Sequence, residues 1–308
     1  MFVIAYGALR SGTTLLRLML DMHPGLSCPG ETDFLFDFTA IAPDGRVTID
    51  ADRLGRNRIY RASRARLDPA LPGREALIDM IGQLRDRPDQ CVVLMMHRGI
   101  ETALRLFPDT PILHMLRDPR DVARSSIGMG WAGTVYHGVE HWLRTEREWD
   151  RAMAAFPGTR TMTLHYERLI LAPAEELARI TSFVGLPFDP AMLDYHRAST
   201  YDPPDASLVE QWRRNQTARD LGLVEARLGP LLTARGYAPS GHRPVFPRRM
   251  ERVALQAMNK RAIWSLRVKR HGLRDPLLVG LAKRLRLPAL GHAAQARIDA
   301  RTVSEFLK

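Results

Sequence analysis

Cysteine is nearly absent from this chain. Cys28 and Cys91 are its only two, too few and too far apart for a disulfide framework or a four-cysteine metal site. Both read as buried or partly buried thiols. No stretch approaches the ~18 uncharged apolar residues that a membrane-spanning helix requires. The apolar start, residues 1–6, has no basic region and stops at the loop 7–12, so it does not read as a secretion signal. Lysine is scarce beside arginine, and no internal repeat of about 20 to 50 residues points to a solenoid. These absences fit a reducing cytoplasm. At 308 residues with 45% hydrophobic content, the chain can bury one large core, or one core with a small appendage.

A formal charge of +11 suggests an acidic partner, but its distribution is uneven. Residues 245–308 hold 15 Lys+Arg against 4 Asp+Glu, leaving 30 against 30 in residues 1–244. The main domain is charge-balanced and must hold an anionic ligand by particular cations rather than by a general field.

The first element reads as a buried strand over residues 2–6, a loop over 7–12, and a helix from Thr13 to about Met22, ended by Pro24. Apolar runs at 92–96, 111–116 and 160–165 read as further strands. Helical patterns lie between and after them at 100–107, 120–127, 139–155 and 174–184. Strands alternating with helices imply an α/β fold, a parallel sheet flanked by helices with its ligand along the strand C-terminal edge. Residues 44–89, rich in Arg, Asp, Pro and Gly, read as an insertion of loops and short helices, a candidate acceptor lid. Asp202-Pro203-Pro204-Asp205 reads as a linker into helical segments at 207–214 and 217–236. From Pro247 the pattern is helical and basic, interrupted at Gly272, Pro276 and Pro288. The expected division is residues 1–240 and a helical basic C-terminal extension, 241–308.

Gly7-Ala8-Leu9-Arg10-Ser11-Gly12-Thr13-Thr14 has the glycine spacing of a Walker A loop, but Thr13 stands where the P-loop lysine belongs. A phosphotransferase would lack the cation that reaches the β- and γ-phosphates. What remains is a nest of backbone N–H groups at a helix N-terminus, a receptor for one compact anion, with Arg10 as the cation.

Residues 7–17 of this loop and helix, followed by His23-Pro24 and Gly30-Glu31-Thr32, resemble the 5′-phosphosulfate loop of sulfotransferases that use 3′-phosphoadenosine-5′-phosphosulfate (PAPS). The likeness is to the bacterial branch near the protein-tyrosine sulfotransferases. Arg117-Asp118-Pro119-Arg120-Asp121-Val122-Ala123-Arg124-Ser125 resembles the same family's 3′-phosphate motif, and His165-Tyr166-Glu167-Arg168-Leu169 with Gly185-Leu186-Pro187 its later part. The resemblance covers about residues 1–240. It implies a P-loop-like fold, PAPS as co-substrate without a metal, and sulfuryl transfer to a hydroxyl or amine acceptor.

By that resemblance Arg10, Ser11, Gly12, Thr13 and Thr14 cradle the 5′-phosphosulfate, with Arg10 on the leaving phosphate, while Arg117 and Ser125 hold the 3′-phosphate. For Arg117 and its neighbours Asp118, Arg120 and Asp121, a surface salt-bridge network is the alternative. Glu31 falls where the tyrosine-sulfating enzymes carry their general base, or is a capping carboxylate. His97, directly after a buried strand, is the rival base, and either His97 or Arg98 stands in for the lysine that relatives often carry there. Tyr166 closes over the nucleotide or serves as a core tyrosine. Trp131, Tyr136 and His137 form an aromatic acceptor wall or pack between helices. A different class also fits the loop: a non-catalytic P-loop-like nucleotide-binding module whose tail docks elsewhere.

The resemblance leaves the tail unexplained. Arg248, Arg249, Arg252, Lys260, Arg261, Arg267, Lys269 and Arg270 interleave with apolar residues, as suits an anionic membrane surface or an acidic partner. The alternative is a helix packed on the protein with a solvated charged face. None of the nucleic-acid-binding motifs is present, so no nucleic-acid partner is expected. Cytoplasmic placement, membrane-peripheral if the tail binds lipid, is the resulting expectation.

Overall fold

The run Phe2-Val3-Ile4-Ala5-Tyr6-Gly7 carries no charge to solvate, and it becomes β1 (Phe2–Gly7), the middle strand of the main sheet. In this computed structural model, residues 1–285, 287, 291–298 and 301 are described. Part of the expected extension over 241–308, including Pro288, lies outside them. The sheet has the order β2 (Leu26–Ser27), β5 (Cys91–Met96), β1, β6 (Ile112–Leu116), β7 (Thr161–His165), every pair parallel. Ile4 is in register with Leu94 on one side and Ile112 on the other.

Side chains alternate across a strand, so β1 feeds two cores. Val3 and Ala5 pack with Leu16, Met19 and Leu20 of the helix Thr13–Asp21 and with Leu177 and Ile180 of the helix Pro173–Val184. Ile4 and Tyr6 face Leu77, Met80 and Ile81 of the helix Gly73–Gln83, Leu104 of Ile100–Leu106, and Trp149 of Glu140–Ala155. The expected α/β fold is therefore present, a parallel sheet covered by helices on both faces.

Three features depart from the expectation. β2 has two residues, too short for any periodicity, and exists through its pairing with Cys91 and Val92. The segment 44–89 is not loops and short helices alone: its helix Gly73–Gln83 supplies Ala76, Leu77, Met80 and Ile81 to the core. It also completes an antiparallel hairpin, β3 (Thr39–Ile41) with β4 (Val47–Ile49). Pro276 does not interrupt the tail; it sits in the first turn of the helix Arg274–Arg284, where a missing N–H costs nothing. The break at Gly272 is present, with φ 74°.

The chain forms two compact units, Met1–Val122 with His141–Arg214, and Ala123–Glu140 with Asn215–Lys308. The first holds the sheet. In the second, the helix Arg249–His271 runs along residues 128–133. Asn259 Oδ1 accepts from Gly133 N at 2.6 Å, and a Cβ on Gly133 would stand 2.5 Å from that of Ala262, so only glycine admits this approach. No helix among the described residues is long and apolar enough to cross a membrane.

Candidate active site

Every strand of the parallel sheet delivers a candidate residue at or just beyond its C-terminal end. Arg10 follows β1, His97 directly follows β5, Arg117 directly follows β6, Tyr166 directly follows β7, and Glu31, four residues past β2, bridges to Met95. This is the edge where open parallel sheets bind ligands.

The loop after β1 is built for an anion. Leu16 N is bonded to the Gly12 carbonyl at 3.0 Å, so the N–H groups of Thr13, Thr14 and Leu15 precede the first intrahelical bond. No side chain caps this N-terminus. Ser11 is fully buried, and its Oγ has no hydrogen-bond partner among the described residues. Thr13 is buried as well, while Thr14 is exposed. Gly12 has φ 90°, and a Cβ there would lie 2.3 Å from Tyr166 Cδ2. Arg10 adopts φ 72°, a left-handed conformation that costs a side-chain-bearing residue about 1–2 kcal/mol.

Arg117 and Tyr166 form the loop's other wall. The Arg117 guanidinium lies over the Tyr166 ring, 4.2 Å from its centroid, and donates to the Arg10 carbonyl at 3.2 Å. Its Nε is buried without a partner among the described residues. Burial pushes the Arg10 guanidinium down from its ordinary value, and the nearby Arg117 cation adds to the effect. A bound anion would offset this repulsion between the two cations. Burial raises the Tyr166 phenol in turn. All four lysines lie at or beyond position 260, so the cations of this loop region are arginines.

The alternative reading of Arg117 and its neighbours, a salt-bridge network at the surface, does not match the burial of these residues. Asp118, Arg120 and Asp121 are buried, between 2% and 3% exposed. Asp118 caps the helix Pro119–Gly128 by accepting from Arg120 N at 2.9 Å, and takes the Arg120 side chain through Nε and a terminal nitrogen at 2.9 and 2.7 Å. Arg120 stacks 3.7 Å over the Trp212 ring, and the Trp212 backbone N–H donates to Asp121 at 2.7 Å. Asp118 and Arg120 satisfy one another, while Asp121 Oδ2 is buried without a hydrogen-bond partner among the described residues. Burial, reinforced by Asp118, pushes the Asp121 carboxyl up to about 6. Ser125 is two turns along the same helix, half-buried and within the second unit.

Glu31 and His97 come together. His97 Nε2 lies 3.9 Å from Glu31 Oε1, beyond direct hydrogen-bond reach, and the Glu31 side chain is 49% exposed. His97 Nδ1 lies 2.7 Å from the Gly7 carbonyl. A carbonyl only accepts, so Nδ1 carries the hydrogen and Nε2 faces the carboxylate. Arg98 is committed elsewhere, bidentate to Asp37 at 2.8 and 2.5 Å and 3.7 Å from Asp33.

Sequence reasoning missed Asp33. Its buried Oδ1 accepts from both His97 N at 2.8 Å and Arg98 N at 3.1 Å, tying the segment that carries Glu31 to the end of β5. Burial raises its pKa, against the opposing pull of His97 and Arg98. Glu148, also missed, accepts from Gly99 N and Ile100 N at 2.6 and 3.1 Å. Neither position stands out in sequence, since each partner lies far along the chain. Of the expected aromatic wall, Tyr136 packs under Arg227 at 4.8 Å and His137 meets Thr134 Oγ1 at 2.8 Å, both within the second unit, while Trp131 is 38% exposed. No cluster of three metal-ligating side chains occurs among the described residues.

Known proteins resemble this chain in sequence and fold. The model of the Sulfotransferase family matches residues 3–190. A protein-tyrosine sulfotransferase of Drosophila melanogaster is 25% identical over 276 residues, covering 77% of this chain and 52% of that protein. The nodulation protein NoeE of Sinorhizobium fredii is 26% identical over 288 residues, covering 76% of this chain and 65% of its own length. The chain thus spans about half to two-thirds of these relatives. Among solved structures, the sulfotransferase domain of the Synechococcus PCC 7002 olefin synthase superposes with a TM-score of 0.54 at 19% identity, covering 74% of this chain and 94% of that domain. That likeness is one of fold.

Proposed function

This chain belongs to the sulfotransferase family, matching it over residues 3–190, and on that premise we propose that it moves a sulfuryl group from PAPS to a hydroxyl or amine acceptor. The catalytic domain is proposed to run over residues 1–240, with 241–308 as an extension. One observation carries the reading: at the sheet's C-terminal edge an uncapped helix N-terminus and Ser11 Oγ, buried without a partner among the described residues, belong to a loop that carries Arg10 and receives a hydrogen bond from Arg117.

Sulfuryl transfer is an in-line displacement in which positioning and charge stabilisation do most of the work. The acceptor oxygen or nitrogen forms a bond to sulfur as the bond from sulfur to the bridging phosphate oxygen breaks. That electron pair stays on the 5′-phosphate, where Arg10, the N–H groups of Gly12 to Thr14, and the hydroxyls of Ser11, Thr13 and Thr14 receive it. The acceptor proton passes to the Glu31 carboxylate. His97, whose Nε2 faces Glu31, is the rival base, while Arg98 is paired to Asp37 and Asp33. Arg117 and Ser125 take the 3′-phosphate, and Tyr166 backs Arg117. No residue in this scheme requires a metal.

Calorimetric titration with 3′-phosphoadenosine-5′-phosphate in chelator tests the reading. Micromolar binding, weakened by about 1–3 kcal/mol in Arg117→Ala and Ser125→Ala, is the expected result. No binding by the unaltered protein would overturn it.

A further inference from the structure

The helix Arg249–His271 buries one stripe and carries a second. Asn259, Ala262, Leu266 and Arg270 face residues 128–133: Ala262 and Leu266 fill the space over Gly133 and Gly130, and Arg270 donates to the Met129 and Gly128 carbonyls at 3.0 and 2.6 Å. Each helical residue advances about 100°, which places Met250, Val253, Ala257 and Trp264 on the opposite side. There Met250 is 78%, Val253 56% and Trp264 40% exposed. Exposed Arg249, Lys260 and Arg267 border this stripe on one flank and exposed Arg261 on the other. The helix has a single acidic residue, Glu251, which lies away from the stripe and pairs with Arg219 at 3.1 Å.

The next helix, Arg274–Arg284, repeats the pattern. Leu273, Leu277, Leu281 and Leu285 recur every fourth residue, spanning it end to end, and are 55%, 42%, 49% and 62% exposed. Exposed Arg274 and Arg284 stand beside them.

A helix that only closes a fold needs one apolar stripe. A second stripe, left in water and bordered by cations, has a use only against a partner that is both apolar and anionic. A second copy of this chain fails that test, because it would set the same arginines and lysines against each other with no carboxylate in either stripe. A lipid surface meets it: acyl carbon for Met250, Val253 and the leucine ridge, and phosphate for the flanking cations. Trp264 suits the headgroup level, where an amphipathic ring has one apolar face and one wet edge. We infer that these two helices bind an anionic membrane surface, each lying in the interface by its exposed ridge. The inference stands apart from the sulfotransferase reading and needs no ligand in the sheet's edge.

Sedimentation of the full chain with phosphatidylcholine vesicles, with and without about one-third phosphatidylglycerol, tests it. Binding to the anionic vesicles at least tenfold tighter than to the neutral ones is expected, weakening as salt screens the cations. Met250→Asp with Val253→Asp, and separately Leu277→Asp with Leu281→Asp, should each cut that binding at least tenfold while thermal melting stays unchanged. The inference is overturned by no preference for anionic vesicles; by binding that survives both pairs of aspartates, which is charge adsorption alone; or by a dimer that the same aspartates dissolve. Polyglutamate bound as tightly as vesicles, with the aspartates without effect, would instead assign the surface to an acidic protein.

Discussion

The Arg117 guanidinium lies over the Tyr166 ring, 4.2 Å from its centroid, while one of its terminal nitrogens donates to the Arg10 carbonyl. The ring contact and the hydrogen bond together hold the guanidinium beside the loop. Planarity is what lysine cannot reproduce. Arg117→Lys should therefore weaken 3′-phosphoadenosine-5′-phosphate binding almost as much as Arg117→Ala, by about 1–3 kcal/mol. Tyr166→Phe, which keeps the ring, should bind close to the unaltered protein. Isothermal titration of the four proteins separates these effects.

Gly12 is required twice, by its φ of 90° and by the Tyr166 ring that a Cβ would meet at 2.3 Å. Gly12→Ala should lower stability by about 1–3 kcal/mol and abolish nucleotide binding. Adding Tyr166→Ala should recover the steric part and leave the backbone part. A double-mutant cycle on thermal melting measures the split.

Glu31→Gln should lower turnover about 10²- to 10⁴-fold, the usual contribution of a general base, while nucleotide affinity is unchanged. Turnover in a PAPS assay, run beside titration with the bisphosphate, checks both halves. An equal loss in the two readouts would assign Glu31 to binding instead.

The Asp121 carboxyl, raised to about 6 by burial and by Asp118, binds its proton more tightly folded than unfolded. Protons are then taken up on folding between about pH 4 and 6, so stability from this group is present at low pH and lost as pH rises through that window. Asp121→Asn keeps an oxygen for the Trp212 N–H and removes the charge. It should raise stability at pH 7 by about 2–4 kcal/mol, with the advantage shrinking to nothing near pH 4. Denaturant unfolding across that range is the measurement.

Much of the fold was legible because its strands are long apolar runs that need no partner to be recognised, such as residues 2–6 and 92–96. β2 was not, since two residues carry no pattern and their order comes from Cys91 and Val92. The hairpin of β3 and β4 left a local trace, Asp44-Gly45 with φ 83° at the glycine, inside a stretch read as irregular. The phosphate loop was readable because its chemistry is local in sequence. Asp33 was not: its role consists of two hydrogen bonds to residues more than sixty positions away. The burial of Arg120 was not legible for the complementary reason, its partner Trp212 lying far downstream.

Arg10 holds a backbone conformation that glycine adopts at no steric cost. Directed evolution scored on heat resistance alone would therefore favour glycine at position 10, gaining thermal tolerance while discarding the cation at the head of the loop. Thermostabilising this chain without losing its chemistry means excluding that position from the library and taking the gains elsewhere.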